Sequence, residues 1–153
     1  MKRKGIIFLF ILVLIALGFF REFVFVNINT MIYNARFNEN YPISNFFSFI
    51  AHLNHKTLYI MKWVLTAVFI ALFLFMQIQF SNYLFEKRNF KNFFLLFYLC
   101  LNVLASIAYF SGWIFNNLQQ GYTFSRLFLG ILQSPLPIIF LTPVFYFYEK
   151  NIS

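Results

Sequence analysis

Four apolar segments, each about as long as the hydrocarbon core of a bilayer is thick, constrain this sequence more than any other feature. A core of about 30 Å is crossed by about 20 helical residues, because an α-helix rises about 1.5 Å per residue. Hydrocarbon offers no hydrogen-bond partners, so the backbone of such a segment must be helical. The predicted spans cover residues 5–26, 57–80, 93–115 and 127–148. The sequence therefore predicts an all-α polytopic membrane protein, built as a four-helix transmembrane bundle.

The composition agrees with a membrane protein that has almost no soluble part. Of 153 residues, 61% are hydrophobic and 10% are charged, whereas an ordinary soluble domain is roughly 25% charged. The net charge of +8 does not indicate nucleic-acid binding, because the basic residues cluster at the ends of the spans. No internal repeat or low-complexity linker divides the chain. We therefore expect a single transmembrane domain over residues 1–153, with the lipid bilayer as its solvent.

The positions of the basic residues predict the orientation of the bundle. Residues 2–4, 87–91 and 150 supply seven of the twelve Lys and Arg side chains, all on one side of the predicted topology. Short loops rich in Lys and Arg remain in the cytoplasm. We therefore expect an integral protein of the inner (cytoplasmic) membrane with both termini in the cytoplasm, and with residues 21–56 and 116–126 outside.

The first span has two interpretations. Its length and a weak Ala16-Leu17-Gly18 site also fit a secretory signal, so the removal of residues 1–18 remains an open alternative. The apolar character continues to Val26, however, and we expect an uncleaved helix in which Arg21 extends towards the membrane surface. The mixed segment that follows, residues 27–56, is predicted to lie on the outer membrane surface and to contain a short helix.

The last span contains prolines, which lack an amide proton and interrupt a helix. Pro135 and Pro137 therefore predict a kink near Ser134, where freed carbonyl groups need donors from neighbouring helices. Asn102 in the third span lies at a depth similar to that of Gln133, and we expect the two to be in contact. The residues predicted to pack the helices together are Asn102, Ser106, Gln133, Ser134, Pro135 and Pro137.

Four charged residues are predicted to collect near the outer surface. Lys62 lies well inside an apolar run, and its side chain can reach the interface beside Trp63 and Tyr59. Such a cluster could contact a lipid phosphate or an acidic partner segment, while simple interfacial anchoring is the plainer explanation. The residues of this second candidate site are Arg21, Glu22, Lys62 and Arg126.

No catalytic, metal or cofactor site is predicted. His52 and His55 are spaced to share a helix face, but only Glu22 and Glu39 lie on the same predicted side of the membrane as further ligands. Cys100 lies in the middle of the third span, where a buried structural cysteine is expected instead of a reactive thiolate. We therefore expect that the protein is not an enzyme.

The order of several landmarks resembles a known family. An Arg-Glu pair ends the first span, and Lys62-Trp63 opens the second. The closing run extends from Phe124-Ser125-Arg126-Leu127-Phe128 through Gln133-Ser134-Pro135 to residues 143–148. In these features the chain resembles the small polytopic proteins associated with exosortases in the Bacteroidota, especially the exosortase F-associated kind. The resemblance implies a position beside a membrane-embedded enzyme that processes C-terminally tagged exported proteins.

The leading functional hypothesis is a non-enzymatic accessory or scaffold subunit of a membrane-embedded protein-processing or export system, with an exosortase-like enzyme as its partner. The alternative is a small transporter or channel subunit, for which the break at residues 133–137 is the one matching feature. An intramembrane enzyme that uses His52 and His55 comes third. The sequence leaves open the identity of the partner, any substrate and whether the chain forms homo-oligomers.

Overall fold

The computed structural model describes residues 3–85 and 90–150, and these residues are helical with short connections. The loop residues Glu86, Lys87 and Arg88, like Lys2 at the N-terminus, lie outside the described residues. The helices are α1 (Arg3–Phe37), a short 3-10 helix (Asn45–Ile50), α2 (His55–Leu84), α3 (Lys91–Ile114), α4 (Leu118–Leu132) and α5 (Leu136–Lys150). The predicted all-α fold class is confirmed.

Three helices, α1, α2 and α3, are long and apolar enough to cross a bilayer, and the bent pair of α4 and α5 supplies a fourth crossing if the pair is one span. Their outward-facing side chains are apolar: Phe8 is 67% exposed and Ile107 58% exposed. Such a surface suits lipid, since a soluble protein rarely leaves a continuous apolar surface in contact with water. Helix length and surface together indicate a membrane protein.

The α4–α5 pair leads from the end of α3 back to its start. Near the start of α4, Gly121 touches Gly112 at the end of α3. In α5, Phe145 stacks on Phe90 and contacts Phe94 at the start of α3, with ring centroids 4.1 Å and 5.6 Å apart. A re-entrant loop would return to the end at which it started. The pair is therefore a single broken span, bent by 58°, and the predicted kink of the last helix is confirmed.

At the helix break, three side chains donate hydrogen bonds to backbone carbonyl groups. Ser134 Oγ donates to the carbonyl of Ile131 at 2.7 Å, and Tyr98 Oη donates to the carbonyl of Leu132 at 3.0 Å. Gln77 Nε2 donates to the carbonyl of Ser134 at 2.9 Å. Unpaired carbonyls in an apolar interior would each cost several kcal/mol. The break is thus stabilised from α2 and α3 as well as by its own serine.

The fourth span was predicted to begin at residue 127, but in the structure it begins at Leu118. Asn117 explains the early start, because its side chain accepts a hydrogen bond from the amide of Gln120 at 3.4 Å and caps the first turn. The segment from Leu118 to Arg126 is therefore helical, although its polar composition suggested a loop.

α1 and α2 form a long antiparallel pair. Phe10 packs against Phe80 and Phe25 against Phe69, with ring centroids 5.7 Å and 5.8 Å apart. The Ala16-Leu17-Gly18 motif lies inside the continuous helix α1. The pair contributes much of the buried apolar core, which forms a single cluster with residues of α3, α4 and α5.

α1 also extends beyond its predicted end at residue 26. It runs to Phe37, so the prediction that residues 27–56 all lie on the membrane surface is wrong for its first part. The polar residues do not end the helix, because Asn27 donates to the carbonyl of Phe23 in the preceding turn at 2.8 Å. Ile28 of the same stretch is fully buried, and this packing favours continuation of the helix.

Residues 38–54 connect α1 to α2, and we call this segment the cap. Asparagine side chains hold it in place. Asn38 has a left-handed backbone conformation with φ of 56° and ends α1. Asn34 donates to the carbonyl of Tyr41 at 2.9 Å and accepts from its amide at 3.0 Å. Asn27 Oδ1 accepts from the amide of Ser44 at 2.7 Å. The cap is therefore attached directly to the extended end of α1.

Candidate functional site

A cleft of about 410 Å³ lies between α1, α2 and α4, in the half of the bundle nearer the cap. Its polar and charged lining comes from all three helices. Its lining runs along α4 from Gln133, at the break between α4 and α5, to Tyr122 near the start of α4, a rise of about 16 Å at about 1.5 Å per residue. A hydrocarbon core is about 30 Å thick. The cleft therefore extends from the middle of the fourth span towards the edge of the apolar layer, where lipid headgroups begin.

All four charged residues of the second predicted site line this cleft, namely Arg21, Glu22, Lys62 and Arg126. Three of them are cations and one is a carboxylate, which leaves two positive charges without an opposite charge among the lining residues. The sequence placed these residues near one surface, and the structure brings them to one cavity.

Arg21 is held by two side chains. Its Nε donates to Gln133 Oε1 at 3.0 Å, and its Nη1 contacts Glu22 Oε2 at 3.2 Å. Its guanidinium also lies over the ring of Phe25, 5.3 Å from the centroid. The Arg21 side chain is only 22% exposed, so it is positioned from several directions and does not sweep freely through lipid.

Gln133 connects three helices. It is the first residue after α4, is 3% exposed, accepts from Arg21 of α1 and donates through Nε2 to the carbonyl of Thr66 in α2 at 3.2 Å. The helix break thus places the side-chain amide of Gln133 where it can bond to both α1 and α2.

The predicted contact between Asn102 and Gln133 is wrong. Asn102 Nδ2 donates to the carbonyl of Tyr98 at 2.8 Å, and Ser106 Oγ donates to the carbonyl of Asn102 at 2.9 Å. Both side chains bond to the backbone of their own helix, a common alternative for short polar side chains. Tyr98, not predicted as a donor, reaches the helix break instead because its side chain is long enough to cross the interface.

Lys62 is bound on the α4 side of the cleft. Its Nζ donates to the hydroxyl of Tyr122 at 3.1 Å and lies 5.9 Å and 5.8 Å from the ring centroids of Tyr59 and Tyr122. Cation–π contacts of this kind stabilise an ammonium group where water is scarce. The ammonium group of Lys62 therefore lies in the cleft, whereas the sequence suggested only that its side chain reaches the membrane interface.

Arg126 is the one cation of the cleft whose guanidinium is exposed and makes no hydrogen bond or ion pair with residues 3–85 or 90–150. It is close enough to Arg21 for the two charges to repel. Its donors are available to a ligand, and a planar guanidinium suits the oxygens of carboxylates and phosphates.

The histidines and the cysteine lie away from these residues. His52 is exposed, and the ring of His55 packs against Tyr59 with centroids 5.2 Å apart. Among the described residues, no three His, Cys, Asp or Glu side chains come together as metal ligands. Cys100 lies on the outer surface of α3, so the prediction of a buried cysteine is wrong. At that depth the surface of α3 faces lipid.

Comparison with protein-family models, with curated proteins and with solved structures finds no match for this chain. The resemblance to exosortase-associated proteins therefore stays a prediction, and the cleft itself is the basis for a functional argument.

Proposed function

We propose that this chain is a non-enzymatic accessory subunit in the cytoplasmic membrane, which holds an anionic group beside a membrane-embedded protein-processing or export enzyme. The observation that carries the proposal is the convergence of Arg21, Lys62 and Arg126 from three helices on one cleft. Interfacial anchoring needs each cation only at the surface, and it does not need them together. Like charges repel strongly where the dielectric constant is low, and a bound anion would offset that repulsion.

The choice of partner is supported by the location of the family landmarks. The Arg-Glu pair, Lys62-Trp63, Arg126 and Gln133 all line the cleft, although they are far apart in the sequence. We therefore propose an exosortase-like enzyme as the membrane partner and its C-terminally tagged cargo as the protein being processed.

The proposal is tested by removing two cations from the cleft. We expect the double variant Lys62→Gln/Arg126→Gln to reduce cargo processing in cells about thirtyfold, since each cation near a membrane surface contributes about 1 kcal/mol to anion binding and two such losses multiply. Processing is measured as the ratio of mature to unprocessed cargo at equal levels of the membrane protein.

Lys56→Gln is the matched control, because Lys56 is exposed at the same end of the bundle and does not line the cleft. The control should process cargo normally. Normal processing by the double variant would rule the cleft out of this role. Loss of processing on replacement of His52 and His55 by alanine would instead favour an intramembrane enzyme.

A transporter or channel subunit is a second candidate, favoured by the break between α4 and α5. Transporter sites are often formed by discontinuous helices, and here Gln133 at the break bonds to Arg21 in the cleft. Uptake of an anion into proteoliposomes that depends on Arg126 would favour this candidate over the accessory role.

For the orientation, we propose that both termini lie in the cytoplasm, as the clustering of basic residues indicates. Asn40 and Gln119 lie at the same end of the bundle, because one follows α1 and the other begins α4. A reporter that is active only outside the cytoplasm should therefore work after either residue. It should be silent after Lys87 or at the C-terminus. Reporter activity after Lys87 together with silence after Gln119 would show that the orientation is the reverse of the one proposed.

A further inference from the structure

We infer that the anion bound in the cleft is the phosphate monoester of a membrane lipid, which enters sideways between α1 and α4. This inference rests on the proposed anion-binding function and specifies the ligand. It follows from how the cleft opens, from what lies at its mouth and from the charge that its side chains leave uncompensated.

The cleft opens towards lipid because two of its walls are not packed together. α1 packs against α2, and α4 packs against α2, α3 and α5, but no extended seam joins α1 to α4 within the described residues. The hydrogen bond between Arg21 and Gln133 bridges them at one level. A lipid headgroup could therefore slide in from the side without any helix being displaced.

The mouth of the cleft combines apolar and charged side chains. Val26 of α1, Trp63 of α2 and Leu127 of α4 line it, and these residues are 53%, 51% and 56% exposed. Glu22 and Arg126 are exposed beside them. The acyl chains of a lipid would lie against the apolar side chains while its headgroup bound Arg126, whereas an acidic peptide would use the charge alone. Tryptophan and tyrosine are also typical of the headgroup level of membranes. These features favour a lipid over an acidic segment of a protein.

The charge of the cleft favours a monoester. Three cations and the carboxylate of Glu22 leave two positive charges. A phosphate monoester carries about −1.5 to −2 charges near neutral pH, while the phosphodiester of most phospholipids carries one. Arg126 and the remaining donors of Lys62 are positioned on α4 and α2 to bind its oxygens.

Trp63 makes binding measurable. The chain has two tryptophans, and Trp113→Phe leaves Trp63 in the cleft as the sole reporter. In phosphatidylcholine bilayers, brominated phosphatidic acid should quench Trp63 at low mole fraction, with an association constant at least about tenfold above that of brominated phosphatidylcholine. Brominated phosphatidylglycerol should fall between the two.

Arg126→Gln is the decisive variant, because Arg126 makes no hydrogen bond that supports the described fold. It should lower the preference for phosphatidic acid about fivefold, as expected for the loss of one cation near a membrane surface. Lys56→Gln, in the same Trp113→Phe background, should keep the full preference. Equal quenching by phosphatidic acid and phosphatidylglycerol would overturn the assignment to a monoester.

Two further measurements distinguish an error in the identity of the ligand from an error in the proposed anion-binding function. Inorganic phosphate and an Asp/Glu-rich peptide are added to the detergent-solubilised protein, and the emission of Trp63 is recorded. If phosphatidic acid shows no preference but either of these shifts the emission in an Arg126-dependent way, the lipid inference falls and anion binding stands. If nothing changes the emission, both fall.

Discussion

Alanine in place of Phe145 should lower the free energy of unfolding by about 3–5 kcal/mol, the range found when a buried aromatic side chain is removed. Phe145 is 2% exposed and lies among four other phenylalanine rings. It stacks on Phe90 with planes 11° apart and meets Phe85 and Phe93 edge to face. The loss is large, because a whole domain is typically stable by only about 5–15 kcal/mol.

The same helix offers a matched control. Phe147 is 62% exposed, and Phe147→Ala should change stability by well under about 1 kcal/mol, since a lipid-facing side chain has lipid around it in either state. Reversible unfolding in mixed micelles with increasing dodecyl sulfate, followed by circular dichroism, gives both values. Equal losses for the two variants would show that α5 is not docked through Phe145.

Alanine at Gly121 should cost about 3 kcal/mol, at the upper end of the usual range for an overpacked interface. A Cβ atom there would lie 2.6 Å from the Cα of Gly112 and 2.8 Å from the carbonyl oxygen of Ala108. Both obstacles are backbone atoms, so no side chain can rotate away. α3 and α4 would have to separate, and small residues at such crossings are what allow membrane helices to approach closely.

Gly18→Ala serves as the comparison for this substitution. A Cβ atom at Gly18 in α1 meets nothing within 4 Å, so the change should be neutral or should stabilise the helix by up to about 1 kcal/mol. The two variants are compared by thermal unfolding in the same detergent. Retention of full stability by Gly121→Ala would falsify the close α3–α4 contact.

Much of the fold follows from the lengths of the apolar segments and from two prolines. The apolar segments predict the number of membrane crossings, because the thickness of the bilayer fixes the length that each crossing needs. Pro135 and Pro137 predict the break in the last span because they lack amide donors. The ends of the helices are harder to predict. Asn27 and Asn117 read as loop formers, but in the structure one bonds within its helix and the other caps a helix.

The candidate site is predictable only in part. Lys62 and Arg126 stand out in the sequence, because charges inside or beside apolar segments are rare. The pairing of Gln133 with Arg21 depends on how the helices are rotated about their axes, and a lipid-facing surface that is apolar all round carries no periodic signal of that rotation. Gly112 and Gly121, at the facing ends of adjacent spans, are a signal that does suggest close packing.

The hydrogen bond between Arg21 and Gln133 sets the relative heights of the helices on the side of the cap. α1 continues for 16 residues after Arg21, and 15 residues of α4 precede Gln133, so at about 1.5 Å per residue both rise about 22–24 Å beyond this bond. The end of α1 and the start of α4 therefore lie at about the same height. A partner domain that covers this end of the bundle would meet the cap and the connection between α3 and α4 as one continuous surface.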